Sequence, residues 1–208
     1  MATEMGIFET IYNCRAMRRL KPDPVPENLL LKLIDAANQA PTGSNQQGAR
    51  WIVVRDAEQR SRLAALNKAA ATRYISVRTE EEPPDEKRQR LLAAVRWQAE
   101  HMQEIPALVI ACYRFGESVV DNPQAGARGG GSIWPAVQNL LLAARALGLG
   151  ATPTTLGLSD RAAVREVLHL PDDMAPFCLI PVGYPSGNFG PVTRLPVEET
   201  MCWDRWEE

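Results

Sequence analysis

The run SIWPAVQNLLLAARALGLGATPTT, Ser132 to Thr155, decides the fold. From Ile133 to Leu147 only Gln138, Asn139 and Arg145 are clearly polar, so this helix is apolar nearly all round and must be buried. Ser132 starts it, and Ala151 to Thr155 follows as a short strand. A helix with no solvent face needs other layers around it, and the flanking sequence supplies them.

Upstream, Gly6 to Asn13 reads as a short helix. A better one opens at Val25-Pro26-Glu27, with Leu29, Leu30, Leu33, Ile34 and Ala37 on one face. The turn-rich run Ala40 to Gly48 then leads into a buried strand, Trp51 to Val54. Asp56 caps a helix from Ala57 to about Ala69, Leu91 to Glu104 is helical, Ala107 to Tyr113 is an apolar strand, and Asn122 to Gly131 is a Gly-rich loop. Between these helices Arg78 to Arg90 (RTEEEPPDEKRQR) reads as a solvated charged excursion and a candidate lid. Downstream, Ser159 caps a helix through Leu168, and Phe177 to Val182 is a buried strand.

Four short strands interleaved with about six helices predict one mixed α/β or α+β domain over residues 1–208. The tail from Tyr184 to Glu208 has no periodic pattern. It cannot hide Trp203 and Trp206 by itself, so it is expected to pack on something large, such as another subunit.

The composition is that of an ordinary globular domain: 208 residues, 45% hydrophobic, 23% charged, formal net charge −2. A near-neutral balance argues against a nucleic-acid footprint, which shows as a basic excess or stripe. The most apolar stretch, Leu140 to Leu158, is broken by Arg145 and Pro153 and falls short of a membrane span. Cys14, Cys112, Cys178 and Cys202 form no C-x-x-C pair, and the N-terminus lacks a signal-peptide pattern, so a cytoplasmic protein with reduced thiols is expected.

Several chemistries drop out. Gly129-Gly130-Gly131-Ser132 lacks the Gly-Lys-Ser/Thr of a P-loop, and Gly148-Leu149-Gly150-Ala151-Thr152-Pro153 is no dinucleotide fingerprint. His101 and His169 lie on separate helices and make a poor triad or metal pair. Two stretches remain. RAMRRLKPDPVP, Arg15 to Pro26, packs three arginines into five residues, suited either to a phosphate or to a solvated basic turn. APTGSNQQGARWIVV, Ala40 to Val54, sets short hydroxyls and amides at a strand edge, where Asn45 and Gln47 suit a polar heterocycle; turn chemistry accounts for Thr42 to Asn45 as well.

The order RAMRRLKPDPVP, APTGSNQQ-x-x-x-WIVV, WPAVQNLLLAARALGLGATPTT, PVGYP and VTRLP resembles the FMN-dependent nitroreductase family over nearly the whole chain. The resemblance implies an α+β subunit with a central, mostly antiparallel sheet covered by helices. It also implies a homodimer with FMN at the interface and a C-terminal tail extending over the partner. It assigns Arg15, Ala16, Met17 and Arg18 to the phosphate and ribityl motif, with Cys14 and Ala16 standing where the family has arginine and serine. Arg194 matches a phosphate-binding arginine, while Val192 replaces a family lysine; phosphate binding then rests on Arg15, Arg194 and one of Arg18 or Arg19. Pro41, Thr42, Gly43, Ser44, Asn45 and Gln47 match the loop that the other subunit lays along the flavin, with Gly48-Ala49 in place of the frequent Pro-Trp. Pro153, Thr154, Thr155, Leu156 and Gly157 match the segment that passes the ring near N5 and O4, and Arg18 is the candidate cation for the N1–C2=O edge. Gly131, Ser132 and Trp134 are candidate pocket walls, with helix capping and core packing the alternative roles of the last two.

The implied activity is hydride transfer from NADH or NADPH through flavin N5 to a nitroaromatic, quinone or similar small electron-poor acceptor, by ping-pong turnover with no essential protein acid or base and no metal. Two alternatives stay open. One is a same-fold flavoenzyme doing dehalogenation, dehydrogenation or flavin fragmentation; the other is a flavin-binding protein without turnover.

Overall fold

In the computed structural model, described for residues 5–81, 85–120 and 129–206, the chain runs α1 (Ile7–Asn13), α2 (Glu27–Asn38), β1 (Ala49–Val54), α3 (Ala57–Glu81), α4 (Glu86–His101), β2 (Ala107–Arg114), α5 (Gly130–Ala146), β3 (Gly150–Ala151), α6 (Arg161–Leu168) and β4 (Met174–Gly183). The four strands form one sheet in the order β1-β2-β4-β3, every pair antiparallel, with Trp51 opposite Ala111 and Ile110 opposite Leu179. This is the α+β architecture expected.

Both faces of the sheet are covered, which is why β2 reads as an unbroken apolar run rather than alternating polar and apolar residues. Val109 and Ala111 on β2, with Cys178 and Ile180 on β4, face Leu33 of α2 and Ile133 and Leu140 of α5. Leu108, Ile110 and Leu179 point the other way, onto Leu63 of α3 and Met102. The all-apolar helix is thus a core element: Ile133, Leu140 and Ala144 are fully buried. At about 25 cal/mol per Å² of apolar surface, such side chains supply the main folding term.

Several expectations need correction. The helix from Ala57 runs to Glu81 rather than ending near Ala69, because Leu63, Ala64, Ala70, Ala71 and Ile75 keep one face buried at helical spacing. The charged Arg78–Arg90 stretch is helical where it is described. Residues 78–81 end α3 and 86–90 begin α4, whose N-cap Asp85 accepts from the Arg88 N–H at 2.7 Å; residues 82–84 lie outside the described residues. Most of the Gly-rich loop, 121–128, also lies outside them, and Gly130 and Gly131 already belong to α5. Asp160 rather than Ser159 caps α6, accepting from the Ala163 N–H at 3.0 Å. β1 is an edge strand in which only Val54 is fully buried. Among the described residues no helix is long and apolar enough to cross a membrane.

Beyond β4 the chain doubles back along the N-terminal segment. Lys21 N–H donates to the Tyr184 carbonyl (2.8 Å), Leu20 bridges Pro185, Ser186 N–H donates to Arg19 O (3.0 Å) and Val192 N–H donates to Tyr12 O (3.1 Å). The tail then leaves the core, with Trp203 82% and Trp206 72% exposed.

Candidate functional site

Arg18 owes its place to the β3 edge. Met17 N–H donates to Ala151 O (3.2 Å), and the Met17 and Leu20 side chains are buried. The approach is close enough to require glycine at 150, where a Cβ would meet Leu20 Cδ2 at 2.6 Å and Met17 Cβ at 2.9 Å. With Met17 fixed inward, Arg18 turns into a cavity of about 240 Å³, joined there by Asn67 and Tyr74 of α3, Val95 and Gln98 of α4, and Thr152 to Leu156. Burial pulls the Arg18 guanidinium below its ordinary pKa, with Tyr74 acting in the opposite sense; arginine keeps its charge there.

The opposite wall is pinned by backbone. Thr154 and Leu179 exchange both N–H···O bonds, at 2.8 and 2.9 Å, and Leu156 N–H donates to Thr154 Oγ1 (3.3 Å). Gly157 lets this turn close on α3, since a Cβ would stand 3.3 Å from Asn67 Cβ.

Among the described residues, three polar atoms at this cavity are buried with no hydrogen-bond partner: Asn67 Oδ1, Gln98 Nε2 and Thr152 Oγ1. Leaving one such group unpaired costs about 1–3 kcal/mol, so three around one cavity mark a place where a polar ligand supplies the partners. An acceptor, an amide donor and a hydroxyl suit a ring edge bearing both N–H and C=O, and the Arg18 cation suits developing negative charge on it. Asn67, Tyr74, Gln98 and Thr152 are not among the site residues expected from the sequence. The available signal was a side-chain amide within the buried stripe of a helix, Asn67 among Leu63, Ala64, Ala70 and Ala71.

The arginine cluster extends outward from this cavity. Arg15 and Arg19 are exposed, and among the described residues Arg15, Arg18 and Arg19 have no side-chain hydrogen bond or ion pair. The returning chain passes beside Arg15, whose Nη1 lies 3.9 Å from where a Gly190 Cβ would be. Arg194 follows two residues after the Val192–Tyr12 bond; its Nη1 donates to the adjacent Thr193 O at 2.8 Å. Ala16 is exposed on the same segment.

The loop Pro41 to Gln47 does not line the Arg18 cavity. It is tied instead to the start of α5, where Gly43 N–H donates to Ser132 Oγ (3.2 Å), and is closed internally by Gln47 N–H onto Thr42 Oγ1 (3.0 Å). Ser44, Asn45 and Gln47 all have φ near +50°, a left-handed conformation that costs most residues other than glycine and asparagine. Trp134 stands 41% exposed, edge-on to Phe177. Among the described residues no group of three or more His, Cys, Asp or Glu is placed to hold a metal ion.

The family model described as the Nitroreductase family matches residues 11–184, spanning α2 to β4 and the Arg18 cavity but not the start of α1, Arg194 or the tail. The chain belongs to the nitroreductase family. As a nitroreductase-family protein it is an oxidoreductase, and it is 34% identical over 202 residues to a protein named NADH dehydrogenase from Thermus thermophilus, with 91% of each chain covered. It is 29% identical over 197 residues to the iodotyrosine deiodinase of Thermotoga neapolitana, covering 94% of this chain and 95% of that one. The structure of oxidised iodotyrosine deiodinase bound to FMN and 3-iodo-L-tyrosine superposes with a TM-score of 0.74 at 22% identity, over 97% of this chain and 100% of that chain, a likeness of fold.

Proposed function

We propose that this nitroreductase-family chain is an FMN-dependent oxidoreductase that takes hydride from NADH or NADPH and reduces a small electron-poor acceptor, a nitroaromatic or quinone, in ping-pong fashion. The carrying observation is the set of orphaned Asn67 Oδ1, Gln98 Nε2 and Thr152 Oγ1 beside Arg18. Bound FMN supplies two-electron chemistry at N5, so the protein needs no acid or base of its own for that transfer.

The residues divide the work. Asn67, Gln98 and Thr152 hold the pyrimidine edge of the ring, and Arg18 stabilises negative charge on its N1–C2=O side. Pro153 to Gly157 pass the ring, with their backbone held rigid by the Thr154–Leu179 pair. Arg18 being committed to the cavity, Arg15, Arg19 and Arg194 are left for the phosphate, beside Ala16 and Met17. The Pro41–Gln47 loop, apart from this cavity in its own subunit, serves the flavin of a partner, and the tail with Trp203 and Trp206 lies over that partner in a homodimer.

Visible spectra under argon before and after NADH or NADPH test the reading. A yellow protein that bleaches, and recolours with a nitroaromatic or quinone, is expected; a colourless protein that takes up no FMN overturns it. Reductive dehalogenation is the second reading, favoured by the full-length similarity to a deiodinase. Halophenol turnover with no reduction of nitroaromatics would select it.

A further inference from the structure

The core helix α5 carries one charged residue, Arg145, in its last turn. The C-terminal end of a helix favours a cation, which accounts for the charge but not for where the side chain goes. Its guanidinium lies over the Phe189 ring, with Cζ 4.2 Å from the centroid, and its Nε is buried without a hydrogen-bond partner. Among the described residues no carboxylate pairs with it. A guanidinium laid flat on a ring, with its donor edge unmet, is set to receive an anion from outside the chain.

Two sets of contacts place that edge beside the arginine run. The chain after β4 returns antiparallel to the N-terminal segment, with bonds joining Lys21 to Tyr184, Arg19 to Ser186 and Tyr12 to Val192, so Phe189 and Gly190 pass alongside residues 14–16. The Arg15 Nη1 at Gly190 agrees with this register. From the other side, α1 packs on α5, and Cys14 Sγ donates to the Leu141 carbonyl at 3.6 Å, one turn before Arg145 on the same face. Burial raises the Cys14 thiol and the Arg145 charge works against it, as neighbours should. Arg145 and Arg15 therefore meet one short stretch, Phe189-Gly190, and Arg194 lies farther along the same returning chain. None of the three has a carboxylate partner among the described residues.

We propose that Arg145 is a further phosphate-binding residue, reaching from α5 to the same anion as Arg15 and making the site select FMN over riboflavin. This rests on the flavin reading above and deepens it. Cys14 is a neutral thiol at the head of the arginine run, and Arg145 supplies beside it the charge that position lacks. Arg18 is occupied in the ring cavity, so ring and phosphate are held by different arginines and loss of one leaves the other in place.

The test uses the whole chain, stripped of flavin and titrated with FMN and with riboflavin by fluorescence. Arg145→Gln is expected to weaken FMN by about ten- to a hundredfold and leave riboflavin unchanged, with a shallower salt dependence for FMN than wild type. Arg145→Lys, which keeps the charge but not the fork, is expected to recover part of the loss. A glutamine variant that weakens both flavins equally overturns the proposal, because Arg145 then only supports the packing of α5 on the returning chain. Unchanged FMN affinity in the variant overturns it too and leaves the flavin reading standing, whereas a wild type that takes up no FMN overturns both. Should the glutamine variant fail to fold, the lysine variant decides: a preference for FMN over riboflavin equal to that of wild type overturns the proposal.

Discussion

Asn67 sits on the buried stripe of α3 with its carbonyl oxygen unpaired, an arrangement that is costly for folding and useful for binding. Replacing it with leucine, which has the same branched shape and somewhat more bulk, removes the orphan. The ligand-free Asn67→Leu protein is therefore expected to be as stable as wild type or more stable by about 1 kcal/mol in urea unfolding, while FMN affinity falls roughly tenfold by fluorescence titration. A packing role predicts the opposite pair of results. Arg194→Ala tests the phosphate assignment; loss of one charge-assisted contact weakens FMN binding by about ten- to a hundredfold, and unchanged affinity would remove Arg194 from the site. The arginines were legible in the sequence because three in five residues is an unusual density. Which one enters the cavity was not legible, since Arg18 and Arg19 are chemically identical until burial of Met17 fixes the side of the chain from which each emerges.

Among the elements, the β3 edge depends on a missing side chain. A methyl at Gly150 would press on Met17 Cβ, which lies next to the backbone and cannot swing aside as the Leu20 tip can. Gly150→Ala is expected to destabilise the fold by about 1–3 kcal/mol, read as a lower urea midpoint, and to weaken FMN binding because Arg18 moves with Met17. Strand positions were legible from apolar runs bounded by turn residues, and α5 from its lack of a polar face. The length of α3 was not: its last turns carry exposed charge, and the buried Ala70, Ala71 and Ile75 that hold them are small or sparse enough to escape periodicity. The 40–48 run illustrates a different limit. Its turn residues announced a loop, but its three positive-φ residues and its anchor on Ser132 belong to the folded chain.

For the whole molecule, Cys112 and Cys178 lie in the sheet core, where burial pushes both thiols up to about 12; Cys178 is raised further by its neighbour Cys112. Between the ordinary value of 9.0 and about 12 the unfolded chain loses these protons and the native one keeps them, so stability falls as pH rises through that window and is unaffected below it. At pH 10 the pair accounts for roughly 2–3 kcal/mol of lost stability, measured by urea unfolding against pH; Cys112→Ala with Cys178→Ala flattens that part of the curve. The exposed apolar side chains include a group on α1 (Ile7, Phe8, Ile11, Tyr12) and a pair on the tail (Trp203, Trp206), and the Val192–Tyr12 bond ties α1 to the chain leading into the tail. If the dimer forms through them, Trp203→Ala with Trp206→Ala raises its dissociation constant by about tenfold or more in sedimentation equilibrium.

The sequence by itself determined the class of fold, the number of strands and the buried helix, because each follows from local hydrophobic pattern and chain-breaking residues. Through the family resemblance, the order of the motifs also pointed to the Arg15–Arg19 cluster and the Pro153–Gly157 turn as parts of one site, without deciding between Arg18 and Arg19. Tertiary structure alone decided what stands opposite them. Asn67, Tyr74, Gln98 and Thr152 come from three separate stretches of chain, and they converge because α3 packs against both α4 and the turn after β3. No local pattern records that convergence. It is set by the glycines at 150 and 157, which permit close approach, and by core packing on both faces of a single sheet.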